Sequence, residues 1–408
     1  MIIVGGTERY TCKCWVSEDG KVRMVTAREI MMEFADFTGL SRAGEVQQRY
    51  LWTDAFAVCN FLELYRQTGD EEYKHLSLRL VDQVHNTLGR HRGDDRRTGW
   101  ISGLTEEEGG RHPTIGGLRI GKGIKERGPQ EPYDENLEWD RDGQYYHYLT
   151  KWMHALNRVT KVTGNPVYNR WALEMAKTIH AGFTYPSSSD GQKRMYWKMS
   201  IDLSRPLVPS MGQHDPLDGY ITYRQVQATT EKDTERTASQ DLASEIADMA
   251  RMCEGKTWTT DDPLGIGGLL CNAYTTAQLS LEDPSEKASL LAALLESSLQ
   301  GLGYFARRNS LMSPSDYRLA FRELGLSIGL RALQRLQGLI ERHLSLSGDK
   351  RRVHPIIEGL IRYVPLAEEI ETFWLHRTNR QSRTWKEHRE INMVMLATSL
   401  GPEGYLAL

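Results

Sequence analysis

The sequence predicts an all-α protein whose helices pair into hairpins and close into an α/α toroid of about six hairpins with long loops. Two observations predict this class. A hairpin segment at residues 61–85 recurs at residues 156–180, and apolar residues repeat at helical spacing along much of the remaining chain. Because one hairpin cannot bury its apolar face alone, neighbouring hairpins must stack and then cap or close.

The repeat is clearest where its two helices meet. Thr68-Gly69-Asp70 aligns with Thr163-Gly164-Asn165. Glycine readily adopts the left-handed conformation that often ends a helix, and Asp or Asn then caps the helix that follows. Each copy therefore reads as an αα-hairpin.

Further helices complete the predicted ring. A fainter third copy spans residues 263–300, and the other predicted helices cover residues 27–40, 316–346, 352–372 and 385–399. The predicted organisation is an N-terminal extension at residues 1–26, with a candidate short strand pair, followed by a single toroid domain at residues 27–408.

Two long connections interrupt the helical pattern, at residues 90–141 and 185–235. Connections of this length are usually functional in compact domains. Residues 194–199 and 219–223 are candidate short strands within the second connection, and neither is long enough to change the fold class.

The overall composition excludes several classes of partner. The formal net charge of −3 over 408 residues gives no electrostatic footprint for nucleic acid or an anionic membrane. No run approaches the roughly 20 apolar residues that cross a bilayer, and the first residues lack the basic region of a signal peptide. These features predict a cytoplasmic protein, and the sequence does not determine its oligomeric state.

The cysteines and glycines indicate neither a metal nor a cofactor. Cys12 and Cys14 are close enough to begin a zinc site, but no second Cys/His pair follows at a suitable spacing. The three other cysteines fall in apolar helical patterns. The glycine-rich run at residues 115–123 matches neither phosphate-binding fingerprint. We therefore expect no metal and no organic cofactor.

The candidate functional residues are predicted to lie at one mouth of the toroid. If the first helix of each hairpin lines the inside, all the inner helices begin at the same end. Trp52, Asp54, the segment Glu138–Asp142, and His214 with Asp218 all precede or begin such helices.

The most unusual segment is EWDRDGQYYHYLTKW, at residues 138–152. Aromatic faces stack on sugar rings, while carboxylates and Arg bind hydroxyl groups. This segment therefore predicts a saccharide site.

Structural explanations exist for the same residues. Asp is favoured at helix N-termini, so Asp142, Asp262 and Asp316 are also expected as simple caps. The aromatic residues of the unusual segment are equally suited to filling a thick core, and a lone His such as His147 is more often structural than functional.

The hairpin boundaries resemble those of the six-hairpin glycosidase superfamily. The pattern Leu-Tyr-x-x-Thr-Gly-Asp-x-x-Tyr at residues 64–73 is similar to the boundaries in unsaturated glucuronyl and rhamnogalacturonyl hydrolases. The resemblance implies a toroid and a carbohydrate-active enzyme, because the superfamily contains glycoside hydrolases and sugar epimerases share a similar toroid. The Trp-x-Arg-Gly segment of the glucuronyl type is absent, and the segment Trp139–Gly143 resembles it only in part.

The first hypothesis is a glycoside hydrolase that acts on a small oligosaccharide through paired carboxylates. Asp140 or Asp142 would be the general acid, and Asp54 or Asp218 would activate water. The candidate substrate-binding residues are Trp52, Trp139, Arg141, Tyr146, His147, Trp152 and His214.

Two alternatives remain open. A sugar isomerase or epimerase on the same scaffold would use a histidine as acid or base, and His147, His214 and His388 are the candidates. A non-catalytic toroid would bind a sugar or a protein partner, with its acidic residues serving as helix caps.

Overall fold

The computed structural model describes residues 27–41, 48–188, 191–233, 241–282, 288–343 and 350–408. The predicted N-terminal extension, with Cys12 and Cys14, lies outside these ranges. No helix within them is both long enough and apolar enough to cross a bilayer.

The described chain is mainly helical. In chain order the helices are α1 Ala27–Phe37, α2 Leu51–Thr68, α3 Glu71–Leu88, α4 Glu106–Arg111, α5 Glu135–Asp140, α6 Tyr146–Thr163, α7 Val167–Phe183, α8 Asp215–Thr230, α9 Ala243–Cys253, α10 Pro263–Glu282, α11 Ala288–Arg307, α12 Ala320–Arg342, α13 Lys350–Ile361, α14 Pro365–Leu375, α15 Arg383–Glu387, α16 Arg389–Leu400 and α17 Glu403–Leu406.

Six of these helices form a closed inner ring. Each packs on the next in the order α2, α6, α8, α10, α12 and α16, and α16 packs back on α2. The outer layer consists of α3, α7, α9, α11, the pair α13 and α14, and α1, which packs on α16. The predicted α/α toroid is confirmed, and the hairpin that closes it joins the first helix of the described chain to α16.

The hairpin boundaries have the predicted local structure. Gly69 and Gly164 end their helices in the left-handed conformation, with φ of 70° and 72°. The Asp70 side chain accepts a hydrogen bond from the Glu72 N–H, and Asn165 accepts one from the Val167 N–H. These caps satisfy backbone donors that the helix cannot pair internally.

The strands are short and lie in the connections. They are β1 Gln144–Tyr145, β2 Thr184–Pro186, β3 Lys193–Met195, β4 Lys198–Met199 and β5 Pro206–Val208. β1, β4 and β5 form one antiparallel sheet in that order, and β2 pairs with β3. The candidate strand at residues 194–199 is thus divided between β3 and β4.

The candidate strand at residues 219–223 is wrong, because this segment lies inside α8. The hairpin of α8 and α9 was not predicted. Both sides of α8 are largely buried between neighbouring helices, so its apolar residues do not mark a single face. A start signal was nevertheless present, since Pro216 follows two polar residues and proline favours the first turn of a helix.

The last helix of the described residues lies inside the ring. Helix α17 packs on α2, α6 and α10, and side chains from the inner helices bind its backbone. His154 Nε2 donates to the Tyr405 carbonyl at 2.8 Å, and Arg158 Nε donates to the Gly404 carbonyl at 3.0 Å. Residues 403–406 therefore plug the toroid between its inner helices.

Helices α10 and α12 approach each other through glycine. A Cβ added at Gly267 would lie 2.0 Å from the Gly325 carbonyl oxygen, and one added at Gly329 would lie 2.5 Å from the Gly267 Cα. Both distances are shorter than atomic contact allows, so this contact requires glycine.

Candidate active site

A cavity of about 330 Å³ opens among the inner helices, and all six of them contribute to its wall. Its volume is at the lower end of the range for small-ligand pockets. The helix residues that line it include Trp52, Phe56, His147, Lys151, Asp215, Asp218, Leu264, Ile328 and Met395.

The start of α8 places three polar residues in this cavity. His214 is the N-cap residue, and Asp215 and Asp218 lie in the first turn. Carboxylates are favoured there by the positive end of the helix dipole. Because residues three apart are neighbours on a helix surface, the two aspartates face the cavity together.

Asp218 is held as an anion. Its Oδ2 lies 3.4 Å from Lys151 Nζ, and its Oδ1 accepts a hydrogen bond of 2.8 Å from Asn272. Burial alone would raise the pKa of Asp218, but the Lys151 charge and the Asn272 hydrogen bond bring it below its ordinary value. The Asp218 charge likewise raises the pKa of Lys151 against the effect of burial. The two groups form a stable ion pair at neutral pH.

Asp215 has the opposite protonation state. Burial, together with the negative charge of Asp218, raises the pKa of Asp215 to about 8. Its Oδ2 is buried and has no hydrogen-bond partner among the described residues. At neutral pH this side chain is therefore a carboxylic acid with a proton to donate, next to a carboxylate with none.

The hydrogen bonds of the two cavity histidines define their tautomers. The Trp197 indole N–H donates to His147 Nδ1 at 3.3 Å, so the neutral ring carries its proton on Nε2. His214 Nε2 lies 2.9 Å from the Trp258 carbonyl oxygen, which can only accept, so in the neutral ring Nδ1 is unprotonated. Burial lowers the pKa of His147 to about 4. His147 can thus donate a hydrogen bond and His214 can accept a proton.

Aromatic rings form much of the remaining wall. Trp197 lines the cavity from the segment between β3 and β4. On the other side, Phe56 stacks on Tyr405 of α17 with ring centroids 4.5 Å apart and planes 20° apart. Trp52 packs against Phe56 at 4.5 Å. Such faces suit the apolar face of a sugar ring.

Four of the sequence-predicted site residues line this cavity, namely Trp52, His147, His214 and Asp218. Asp262, expected as a cap, also lines it and accepts a hydrogen bond from the Gly265 N–H at 2.9 Å. His388 is the N-cap residue of α16 and is exposed, with its ring edge on Phe321.

The structure does not bring the other predicted aspartates to this cavity. Asp54 is 2% exposed, accepts a hydrogen bond from the Tyr50 N–H at 3.0 Å and lies 3.5 Å from Arg49. Burial raises its pKa to about 7, although the Arg49 charge opposes the shift. Asp54 thus closes the first turn of α2. Asp140 is exposed and lines a separate polar cavity of about 480 Å³.

Asp142 is fully buried and organises a loop. It accepts hydrogen bonds from the backbone N–H groups of Gly121 and Gly143, at 3.0 and 3.1 Å. It also pairs with Arg92 at 3.1 Å and Arg119 at 3.0 Å. Its oxygens are therefore committed to structural partners, which favours a structural role over the predicted general acid.

A buried lysine, Lys198, holds the start of the segment at residues 138–152 in place through hydrogen bonds. Lys198 donates to the carbonyl groups of Glu138 and Arg141, at 2.6 and 2.8 Å. Arg141 is paired with Glu131. Trp139 is 43% exposed and packs on Trp197, outside the residues that line the cavity. These contacts place the segment behind the Trp197 wall.

Tyr146 and Trp152 lie in the core. Neither has accessible surface. The Tyr146 hydroxyl donates to that of Tyr223 at 3.0 Å, and the Trp152 indole donates to His85 Nε2 at 3.2 Å. Their burial corrects the predicted role of a sugar platform, since a substrate cannot reach them, and supports the alternative that these rings fill the core.

The cavity residues that sequence reasoning missed include Lys151, Trp197, Asp215 and Tyr405. Asp215 was detectable, because the run His-Asp-Pro-Leu-Asp carries both a proline and two carboxylates, the signals of a helix start. The other three carry no such local signal. Among the described residues, no three His, Cys, Asp or Glu side chains converge as a metal site would require.

The comparisons with known proteins give structural matches only. No family model and no curated protein matches the sequence. Similar solved structures include a D-mannose isomerase, with 12% identity and a TM-score of 0.49 over 91% of this chain and 95% of that one. The cellobiose 2-epimerase of Spirochaeta thermophila has 11% identity and a TM-score of 0.47 over 92% and 97%. A heparin-specific unsaturated glucuronyl hydrolase has 14% identity and a TM-score of 0.31 over 72% and 78%.

These matched structures are members of the six-hairpin superfamily that the hairpin boundaries resemble. At such low identity the likeness concerns the fold. The chemistry of the site has to be argued from this chain's own residues.

Proposed function

We propose that the protein is a carbohydrate-active enzyme that transfers protons on a small saccharide. The observation that carries this proposal is that one cavity with aromatic walls contains both a proton donor and a proton acceptor. Asp215 is a buried carboxyl group with a pKa of about 8, and the neutral ring of the adjacent His214 offers Nδ1 as a proton acceptor. A proton donor and a proton acceptor in one site are what proton-transfer catalysis requires.

The reaction that best fits these groups is isomerisation or epimerisation next to a sugar carbonyl. His214 Nδ1 would remove the proton from the carbon beside the carbonyl, and the electron pair of that C–H bond would form an enediolate. Lys151 and the Nε2–H of His147 line the same cavity and would stabilise the negative oxygen. Asp215 would donate its proton to that oxygen to give the enediol. The resulting Asp215 carboxylate would then take the proton of an enediol hydroxyl while the protonated His214 returns its proton to carbon, so that both groups regain their starting states.

The aromatic wall supports a saccharide as the substrate. Phe56, Tyr405 and Trp197 offer apolar surface, while Asp218 and Lys151 offer polar groups for hydroxyls. The Asn272 hydrogen bond holds Asp218 in place. Lys151, the cation that lines this cavity, is already paired with Asp218. This balance favours an uncharged sugar over a uronic acid.

A second candidate is glycoside hydrolysis, which one specific observation favours. Asp215 and Asp218 are a protonated and an ionised carboxyl group separated by three residues, and their Cβ atoms are therefore about 5–6 Å apart. Retaining glycosidases place their two carboxyl groups about 5–5.5 Å apart. Against this candidate, both oxygens of Asp218 already have partners.

Incubation of the protein with a panel of neutral mono- and disaccharides and uronic acids in D₂O separates these functions. Proton NMR is expected to show a new isomer with solvent deuterium at the carbon beside the carbonyl, and Asp215→Asn is expected to abolish it. New reducing ends without deuterium would establish the hydrolase instead. A sugar that raises the melting temperature yet remains unchanged would establish a binding protein and contradict both enzymes.

A further inference from the structure

A second cavity, of about 740 Å³, lies between α1 and the segment that leads from α14 to α16. It is separate from the cavity among the inner helices, which we call the saccharide cavity, and shares no lining residue with it. The charged residues that line it are Glu33, Arg377, Arg380, Lys386 and Arg389. We call it the basic cavity.

The positive charges of the basic cavity are not balanced. Arg389 pairs with Glu33 at 2.6 Å, which occupies the one carboxylate in its lining. Arg377 and Lys386 have no ion-pair partner in the part of the chain that the structure describes. Four cations thus share one anion in a chain whose net charge is −3.

Arg380 contributes to the basic cavity an N–H donor that has already lost its contact with water. Its Nε is buried and has no hydrogen-bond partner among the described residues. Burial lowers the pKa of Arg380; the Glu33 charge opposes this shift, and the Arg377 charge adds a smaller lowering effect. A buried N–H without a partner costs free energy that an incoming acceptor recovers. An anion bound here would reduce the repulsion among the cations and would accept a hydrogen bond from the unpaired donor.

The basic cavity provides guanidinium groups but little aromatic surface. Arginine matches phosphate well, since its N–H groups form a fork that binds two oxygens at once. Trp385, the aromatic residue of the lining, is 4% exposed and stacks on Trp374. Its face is therefore closed to a nucleobase, and the site fits the phosphate group itself.

We propose that the basic cavity binds the phosphate group of a small molecule, either free phosphate or a phosphate monoester, through Arg377, Arg380, Lys386 and Arg389. This site is distinct from the saccharide cavity, and the inference does not depend on the proposed reaction.

Isothermal titration calorimetry at constant ionic strength tests the proposal on the full chain. The probes are inorganic phosphate and glucose 6-phosphate, with glucose and chloride as negative controls. The variant Arg377→Gln/Lys386→Gln removes two cations from the lining. The control variant Arg307→Gln/Arg342→Gln removes two exposed cations at the ends of α11 and α12, so both variants change the net charge equally.

Phosphate is expected to bind the wild-type protein and the control variant equally, and to bind the cavity variant at least about tenfold more weakly. Tighter binding of glucose 6-phosphate than of phosphate would identify a monoester as the ligand, and equal binding would identify free phosphate. Equal loss in both variants would show unspecific charge attraction and overturn the proposal. The absence of phosphate binding to the wild-type protein would also overturn it.

Discussion

Lys151 Nζ lies 3.4 Å from Asp218 Oδ2, and the Asp218 charge that this contact keeps adds to burial in raising the pKa of Asp215 one helical turn away. Because Lys151 and Asn272 keep Asp218 ionised, the negative charge of Asp218 adds to burial in holding the proton on Asp215. The capacity of the cavity to donate a proton at neutral pH therefore depends first on the burial of Asp215 and second on a contact between α6 and α8.

Replacing Asp218 with Asn is expected to destabilise the protein by about 1–3 kcal/mol, since it leaves the largely buried Lys151 charge without its partner. Urea unfolding at pH 7 measures this. The control is Glu107→Gln, which breaks the exposed pair of Glu107 and Arg111 and is expected to cost less than about 1 kcal/mol. Equal effects of the two substitutions would show that the Lys151–Asp218 pair is not buried as described.

The raised pKa of Asp215 predicts a pH-dependent loss of stability. The folded state keeps this proton up to about pH 8, whereas the unfolded chain loses it near pH 4. The folded state therefore binds more protons between these values, and stability falls as the pH rises. Asp215→Asn removes this component, so its stability relative to wild type should increase by up to about 1.4 kcal/mol per pH unit.

Urea unfolding of wild type and Asp215→Asn at pH 5 and pH 7 measures the effect. Asp202→Asn is the control. Burial opposes the shift, but the Ser204 and Ser200 hydrogen bonds lower the Asp202 pKa to about 2, so its contribution to stability is lost only on acidification below pH 4. The difference between wild type and Asp202→Asn should be the same at both pH values. A constant difference for Asp215→Asn would contradict the assigned protonation state.

Asp142 is expected to act on stability and not on the chemical step. Asp142→Ala leaves Arg92 and Arg119 without their buried partner, at a cost of about 3–5 kcal/mol. Asp140→Ala, at an exposed position two residues earlier, is the matched control and should cost no more than about 0.5 kcal/mol. Denaturation curves and turnover per folded molecule are the measurements. A stable but inactive Asp142→Ala protein would restore Asp142 as a catalytic candidate.

The close contact between α10 and α12 predicts that Gly→Ala substitutions change stability in opposite directions at two positions. Gly267→Ala forces a Cβ against the Gly325 carbonyl and should destabilise the protein by about 1–3 kcal/mol. Gly303→Ala, in α11, meets no atom nearer than 3.9 Å and should stabilise it by up to about 1 kcal/mol through helix propensity. Melting temperatures of the two variants test this, and a stabilising Gly267→Ala would contradict the close approach.

The sequence predicted the fold well where the signals were local. The glycine and Asp or Asn at residues 69–70 and 164–165 identified two hairpins, because capping depends on a few adjacent residues. Helix α8 was not predicted, because it is buried on several sides and so lacks the single apolar face by which a helix is recognised in a sequence.

The site was predictable only in part, for a related reason. Trp52, His147, His214 and Asp218 could be placed because each lies near the start of an inner helix. The position of Asp142 depends on Arg92 and Arg119, and that of Trp139 on Trp197. Such distant contacts, made when the loops fold over the toroid, leave no spacing pattern in the sequence.

The most direct test of the proposed chemistry is solvent deuterium exchange into the sugar by wild type, His214→Gln and His388→Gln, once a substrate is found in the panel. Gln at position 214 can still donate to the Trp258 carbonyl but cannot act as a base. His388 is exposed and absent from the cavity lining. We expect exchange to fall by at least about 100-fold in His214→Gln and to be unchanged in His388→Gln. Full exchange in His214→Gln would contradict the assignment of the cavity as the catalytic site.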